Sequence, residues 1–388
     1  MPKHSPQYLA RAARFLDAAE RSQLSKSKQA NTAEGATGCA ADNVVNLPTA
    51  SLPLVTLVIP GYNEAGVLAR NLAAIFGYLH SLRHRWRFEV LLINDGSSDA
   101  TGEIAERLTA SYPQLRVIHH PVNFGLGQAL KTAFAASQGD YVVTLDLDLS
   151  YSVRTIVDLL EAIEGSSNKI VLASPYIEGG RTTNVPRLRL TLSRWANRMF
   201  SWLSGNSYNT FTCMVRAYDG PFIRALQPKA QGMAIMPEII YKTMILGGKI
   251  AELPAHLDWS AQVADGTQRS SSMRLLSHIA ATSISGFVFR PNVLLMLPGL
   301  ACLIVSIALG LSLWLSAGSV LEHPALLIFA SLGFLLGVQM LSMSAMSLQN
   351  KKYYEETYFQ LVKLRRQIDI QTETASPAGD PLTKDGHS

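Results

Sequence analysis

This sequence has little cysteine, little charge and no HExxH or H-x-H histidine pair. Its three cysteines, Cys39, Cys213 and Cys302, are odd in number and far apart. That spacing excludes a disulfide framework and a Cys-x-x-Cys metal site, and it suits a reducing compartment. The nine histidines never form HExxH or H-x-H, so no zinc ligand set is assembled; His119-His120 read as a strand end. No GxGxxG follows the first strand-like run, which argues against a dinucleotide-binding enzyme. Only 16% of the 388 residues are charged while 48% are hydrophobic. The mean hydropathy is positive, unusual for a soluble enzyme, and the excess lies after residue 290, where a membrane segment is expected. The formal charge of +5 suits anionic partners without choosing among phospholipid headgroups, sugar nucleotides and nucleic acid.

Residues 1–52 are rich in Ala, Ser, Lys, Gln and Asn and read as a flexible arm; no apolar h-region follows the first Met, so no cleaved signal peptide is expected. From Leu54 short β-branched runs alternate with amphipathic stretches, the pattern of βαβ units around a largely parallel sheet. VTLVIP, FEVLLIN, LRVIHH and YVVTLDLD predict four strands, and KIVLASPY and KIAELPAHL two more. Helices are expected near Ala65–Leu82, Thr101–Ser111 and Gly127–Ala136. This domain is assigned residues 53–270, followed by an interfacial connector helix over 271–291. Two transmembrane helices are expected within 292–348, because residues 293–315 carry no charge and 324–348 carry only Gln339 as a strongly polar group. The loop between them has Glu322 and no Lys or Arg, whereas the tail over 349–388 has Lys351, Lys352, Lys363, Arg365 and Arg366. The positive-inside rule then puts tail and large domain in the cytoplasm, and the chain in the cell membrane as a multi-pass protein.

Three motifs end predicted strands: Pro60-Gly61-Tyr62-Asn63-Glu64, Asn94-Asp95-Gly96-Ser97-Ser98-Asp99, and Asp146-Leu147-Asp148. In an open α/β sheet ligands bind beyond the carboxyl ends of the strands, so the three converge on one crevice. Side chains alternate along a strand, which puts both carboxylates of Asp-x-Asp on one side. Two such carboxylates repel unless a cation intervenes, and a divalent ion relieves the repulsion while holding a diphosphate. Asn123-Phe124-Gly125-Leu126-Gly127 opens a helix whose N-terminus could face an anion.

With VIPGYNE, NDGSSDAT, NFGLGQALKTAF, LDLDLS and SRWANRMFSWLSG in order, the chain resembles family 2 glycosyltransferases of the GT-A fold, and in particular dolichyl- or polyprenyl-phosphate sugar synthases. The resemblance implies a Rossmann-like, mostly parallel sheet and an inverting transfer from a nucleoside-diphosphate sugar to a membrane lipid. It implies nucleotide contacts at Pro60, Tyr62, Glu64, Ile93 and Asp95, with Asp146 and Asp148 holding a divalent cation, Mg2+ or Mn2+, and the diphosphate. Asp148 is the catalytic choice on that reading. It also implies a donor-phosphate contact at Arg269 and an acceptor-phosphate contact at Arg194.

The chain departs from the family at Ala173-Ser174-Pro175-Tyr176, where an arginine is expected; at Ser150, where a Gln is common; and over Asn209–Met214. Arg181, Arg187 and Arg189 are close enough in sequence to replace the missing cation. A polyprenyl phosphate needs no general base, whereas a lipid hydroxyl would need one, for which Glu238 is the candidate. The plainer role for Glu238 is pairing with Lys242 one turn later. No QxxRW-like segment marks a processive synthase. A membrane scaffold with a retained sugar-nucleotide site is the non-enzymatic alternative. Nothing calls for nucleic acid, and nothing sets an oligomeric state.

Overall fold

The computed structural model describes residues 52–205, 208–260, 291–315 and 324–375. Most of the N-terminal arm, the connector helix, the loop between the apolar helices and Arg269 lie outside these residues. The chain divides into two compact units, the first up to Phe289 and the second from Arg290 on.

The first unit is built on a seven-stranded sheet. Its strands are β1 (Leu54–Gly61), β2 (Arg87–Asn94), β3 (Leu115–His119), β4 (Tyr141–Thr144), β5 (Asn168–Ser174), β7 (Arg216–Asp219) and β8 (Lys249–Pro254), in the order β3-β2-β1-β4-β7-β5-β8. Strand β7 runs antiparallel to both neighbours, and the other pairings are parallel. A second sheet pairs β6 (Arg181–Thr183) with β9 (His256–Asp258).

Val55, Leu57 and Ile59 of β1 and Val90 and Leu92 of β2 are fully buried. Helix α1 (Ala65–Ser81) lays Leu68, Leu72, Ile75, Phe76 and Leu79 on the same core, at i, i+4, i+7, i+8 and i+11. Each such side chain contributes about 1.5–3 kcal/mol on burial. The three predicted helices appear as α1, α2 (Thr101–Thr109) and α3 (Leu126–Ala136). Further on lie α4 (Thr155–Ile163), α5 (Arg187–Ser204), α6 (Gly220–Leu226) and α7 (Ile235–Ile245).

The strand order places β2 and β3 on one side of β1 and β4 on the other. The switch point of the sheet therefore lies between β1 and β4, the place beyond the strand ends where open α/β sheets bind ligands. Both strands lead into motifs expected to carry chemistry.

The second unit is a pair of helices, α8 (Pro291–Leu315) and α9 (Pro324–Ala375). Both are long and apolar enough to cross a membrane, with mean hydropathies of 2.2 and 2.0 over their apolar stretches. Most of their apolar side chains face outward, Ile304, Trp314, Phe329 and Leu335 among them. The helices approach closely at Gly337, where an added Cβ would meet Leu303 at 2.7 Å and the Gly299 carbonyl at 2.9 Å. Close backbone approach through small residues is how apolar helices associate where no hydrophobic drive exists. Helix α9 does not stop at residue 348; it runs on through the segment read as a basic tail, as far as Ala375.

Candidate active site

After β1 the chain turns at Asn63, whose φ of 55° is left-handed. The turn is tied to the loop after β2: Asn63 N donates to Ser97 Oγ at 3.0 Å, and Ser98 N to Asn63 Oδ1 at 2.8 Å. Glu64 N donates to Thr101 Oγ1 at 2.8 Å. Burial pushes the Asp99 carboxyl upward, but hydrogen bonds from Thr101 and from Ala65 N outweigh it and hold the group below the usual range. Tyr62 is left exposed at the rim, while Pro60 and Glu64 are half-buried.

Asp95 is 4% exposed. Its Oδ1 accepts from Phe124 N at 3.0 Å and lies 2.8 Å from His120 Nδ1, and its Oδ2 accepts from Gly125 N at 2.8 Å. His120 is held in turn by Thr132 Oγ1 at 3.0 Å. Asp95 thus fastens the loop after β3 to the end of β2. Gly96 is required here: its φ is 65°, and a Cβ would lie 2.2 Å from the Val122 carbonyl carbon. Ile93, expected to touch the nucleotide, has its side chain wholly buried in β2.

Strand β4 ends at Thr144, before the Asp-x-Asp motif, so a turn carries the two carboxylates. Leu149 has a φ of 52°, and Ser150 N donates to Asp148 Oδ1 at 3.0 Å. Alternation nevertheless persists: Leu145 and Leu147 are buried, and Asp146 and Asp148 are half-exposed. The Leu147 carbonyl accepts from Asn71 Nδ2 at 2.8 Å, which fixes the turn against α1. No cluster of three or more His, Cys, Asp or Glu groups able to hold a metal occurs among the described residues. Two hard carboxylates supply part of an oxygen shell and leave the rest to a bound ligand, which fits a cation shared with a diphosphate.

A cavity of about 540 Å³ is lined by Pro175, Tyr176, Arg194, Asn197, Arg198 and Tyr208, among others. Asn197, 2% exposed on α5, accepts from Phe211 N at 2.8 Å and Thr212 N at 3.2 Å, which ties the helix to the segment before β7. Tyr176 donates to Ser193 Oγ at 2.8 Å, and the Arg194 guanidinium lies over its ring at 5.9 Å. Of the arginines expected to replace the cation missing at Pro175, Arg181 lines a separate cavity of about 360 Å³, and Arg189 stacks over Trp259 at 4.3 Å. The cation that shares the larger cavity with Arg194 is Arg198. Its position one helical turn after Arg194 was the signal for it in the sequence. Burial pushes the Cys213 thiol up to about 11, so it stays protonated and unreactive near neutral pH.

Glu238 is turned inward. Its carboxylate accepts from Lys229 N at 2.9 Å and Ala230 N at 2.6 Å, and pairs with Lys242 Nζ at 2.8 Å. Lys242 also donates to the Gln227 carbonyl at 2.7 Å. The segment so held packs on α3 at Gly127, where a Cβ would meet the Ala230 carbonyl at 2.5 Å.

Residues 56–219 match the family described as Glycosyl transferase family 2. They form a family 2 glycosyl transferase domain. The GT-A fold named on the strength of the motifs is the fold of this sheet.

The chain is similar to Glycosyltransferase AglD of Haloferax volcanii, 28% identical over 207 residues, which are 53% of this chain and 33% of that protein. This chain therefore spans about a third of that relative's length. It is also 28% identical over 205 residues to Polyprenol monophosphomannose synthase of Mycolicibacterium smegmatis, covering 51% of this chain and 75% of that one. An Undecaprenyl-phosphate 4-deoxy-4-formamido-L-arabinose transferase of Salmonella dublin is 25% identical over 350 residues, 87% of this chain and 98% of that protein.

Proposed function

We propose that this chain transfers a sugar from a nucleoside-diphosphate sugar to a polyprenyl phosphate in the membrane, with inversion at the anomeric carbon. The observation that carries the reading is the β1/β4 switch point of the sheet, where the turn with the half-exposed Asp146 and Asp148 leaves the same end of parallel strands as the anchored loops after β1 and β2. The names of the Mycolicibacterium and Salmonella relatives support a lipid-phosphate acceptor.

In the proposed reaction an acceptor oxygen attacks the anomeric carbon while the bond to the diphosphate breaks, the electron pair leaving with the nucleoside diphosphate. Asp146 and Asp148 would hold Mg2+ or Mn2+, which when bound would neutralise the leaving charge. Tyr62, exposed at the rim, and Pro60 and Glu64 beside it are suited to contact the nucleotide. Asp95 serves that contact by fixing the turn at Phe124 and Gly125. Arg269 keeps its assignment to the donor phosphates on the resemblance alone. Arg194 meets the acceptor phosphate from the cavity on α5. A phosphate oxygen is already anionic near neutral pH and needs no base. That suits Glu238, whose carboxylate is engaged by Lys229, Ala230 and Lys242.

The test pairs two variants, assayed for transfer from a panel of UDP- and GDP-sugars to polyprenyl phosphate between pH 5 and 9. Arg194→Ala raises the acceptor KM by the factor that a lost charge-assisted hydrogen bond implies, about 1.5–3 kcal/mol. Glu238→Gln lowers thermal stability, because it leaves Lys242 buried beside a neutral amide, and keeps the shape of the pH profile. If Glu238→Gln instead loses the acidic limb and about 10²–10⁴-fold in rate while Arg194→Ala stays active, the acceptor is a hydroxyl.

Both apolar helices cross the membrane in this proposal, with the domain and tail on the cytoplasmic side as the lysines and arginines after residue 350 favour. A reporter fused after Ser388 then reads cytoplasmic, and one inserted between Gly318 and His323 reads external. A tail found outside overturns the two-span arrangement.

A further inference from the structure

Helix α5 packs one face and exposes a chemically different one. Ala196, Asn197, Phe200 and Ser204 are buried, and Phe200 stacks on Phe211 with ring centroids 5.6 Å apart. On the far side Leu188, Trp195 and Trp202 are 66%, 55% and 55% exposed. They recur every seven residues, which puts each within about 20° of one line along the helix. Arg187, Arg194 and Arg198 form a second line roughly 60–100° around from the first. All three arginines are exposed, and α5 contains no acidic residue.

Two indoles more than half exposed on one line are costly for a surface that meets only water, and patches of this kind mark interaction sites. The flanking arginines select the partner. A second copy meeting this face about a twofold axis would bring six guanidinium groups to one interface with no acidic residue on either α5 to offset them, which repels. A bilayer with anionic lipid satisfies both lines: tryptophan settles at headgroup level, and guanidinium groups meet lipid phosphates.

We propose that α5 docks onto an anionic bilayer surface, with Leu188, Trp195 and Trp202 entering the acyl boundary and Arg187, Arg194 and Arg198 at the phosphates. Arg194 and Arg198 also line the 540 Å³ cavity, so docking sets that cavity at the depth of a lipid phosphate. The significance of the surface rests on the lipid-acceptor reading, but its test requires no transfer activity.

The full chain is placed in nanodiscs of phosphatidylcholine with phosphatidylglycerol, with and without brominated acyl chains, in a Trp314→Phe background that removes the indole of α8. Bromination quenches the remaining tryptophan emission. Trp195→Phe and Trp202→Phe each remove part of that quenching, and together they reduce it to the residue left by Trp86 and Trp259. Omitting phosphatidylglycerol weakens quenching in the parent. Equal quenching in the parent and the double variant overturns the proposal, as does equal quenching with and without the anionic lipid. Quenching that disappears as the protein-to-lipid ratio rises assigns the face to a second copy and also overturns it. An inactive enzyme that still shows the quenching pattern fails the glycosyl-transfer reading and leaves the docking surface standing.

Discussion

Chelating divalent cations, or replacing Asp148 with alanine, abolishes sugar transfer while the domain stays folded. Asp146 and Asp148 stand half-exposed on a turn beyond β4, separated by the buried Leu147. Asp148 Oδ1 accepts from Ser150 N at 3.0 Å, a local bond whose loss costs about 0.5–1.5 kcal/mol. The turn keeps its anchor on α1 through Asn71 and the Leu147 carbonyl, so unfolding temperature changes little. The chemistry is affected differently. Stabilising a leaving diphosphate is electrostatic work, and removing one fixed group of that kind costs about 10²–10³-fold in rate. Asp148→Asn separates the contributions: its amide oxygen still accepts from Ser150 N, but the charge is gone. Transfer measured across a titration of Mg2+ and Mn2+, alongside thermal unfolding, decides the matter. Full activity in chelator removes the cation from the mechanism.

The strands that lead into the site were legible because a fully or half-buried strand must repeat apolar, β-branched residues, and β1 to β5 do so. Strand β7 was not. Its four residues, Arg-Ala-Tyr-Asp, carry no run of apolar side chains, and only tertiary pairing makes them a strand. Arg216 is fully buried there, donating to the carbonyls of Cys213, Met236 and Phe211, an environment no local pattern announces. The Asp-x-Asp pair was legible by period, although a turn and not a strand delivers it. The inward use of Glu238 was visible as a possible Lys242 pair at i, i+4. Its bonds to Lys229 N and Ala230 N depend on how a loop folds back and leave no trace in spacing. The cavity on α5 was half visible, since Arg194 came from the motif and Arg198 from the helix built around it.

The same distinction between a group that touches ligand and one that holds the touching groups in place governs the second large effect, at Asp95. Motif reasoning gives Asp95 to the nucleotide, yet both of its oxygens are engaged within the protein by Phe124 N, Gly125 N and His120 Nδ1. Replacing it with asparagine keeps one acceptor oxygen and turns an NH₂ toward groups that are themselves donors. A carboxylate's bonds to donors of this kind are worth about 1.5–3 kcal/mol, and donors left unsatisfied add to the loss. For a domain of this size each kcal/mol lowers Tm by about 2–4 °C, so Asp95→Asn melts roughly 5–10 °C earlier. Nucleotide affinity falls with it, because the turn at Phe124 and Gly125 is no longer held against the end of β2. Hydrogen exchange on the ligand-free protein tells anchoring from contact. Anchoring predicts that the Phe124 and Gly125 amides lose protection in Asp95→Asn, since their acceptor is weakened before any ligand arrives. A residue that only touched the nucleotide would leave those amides unchanged in the ligand-free state and alter exchange only when nucleotide is added. Wild-type protection retained at both amides, together with an unchanged Tm, would return Asp95 to the ligand.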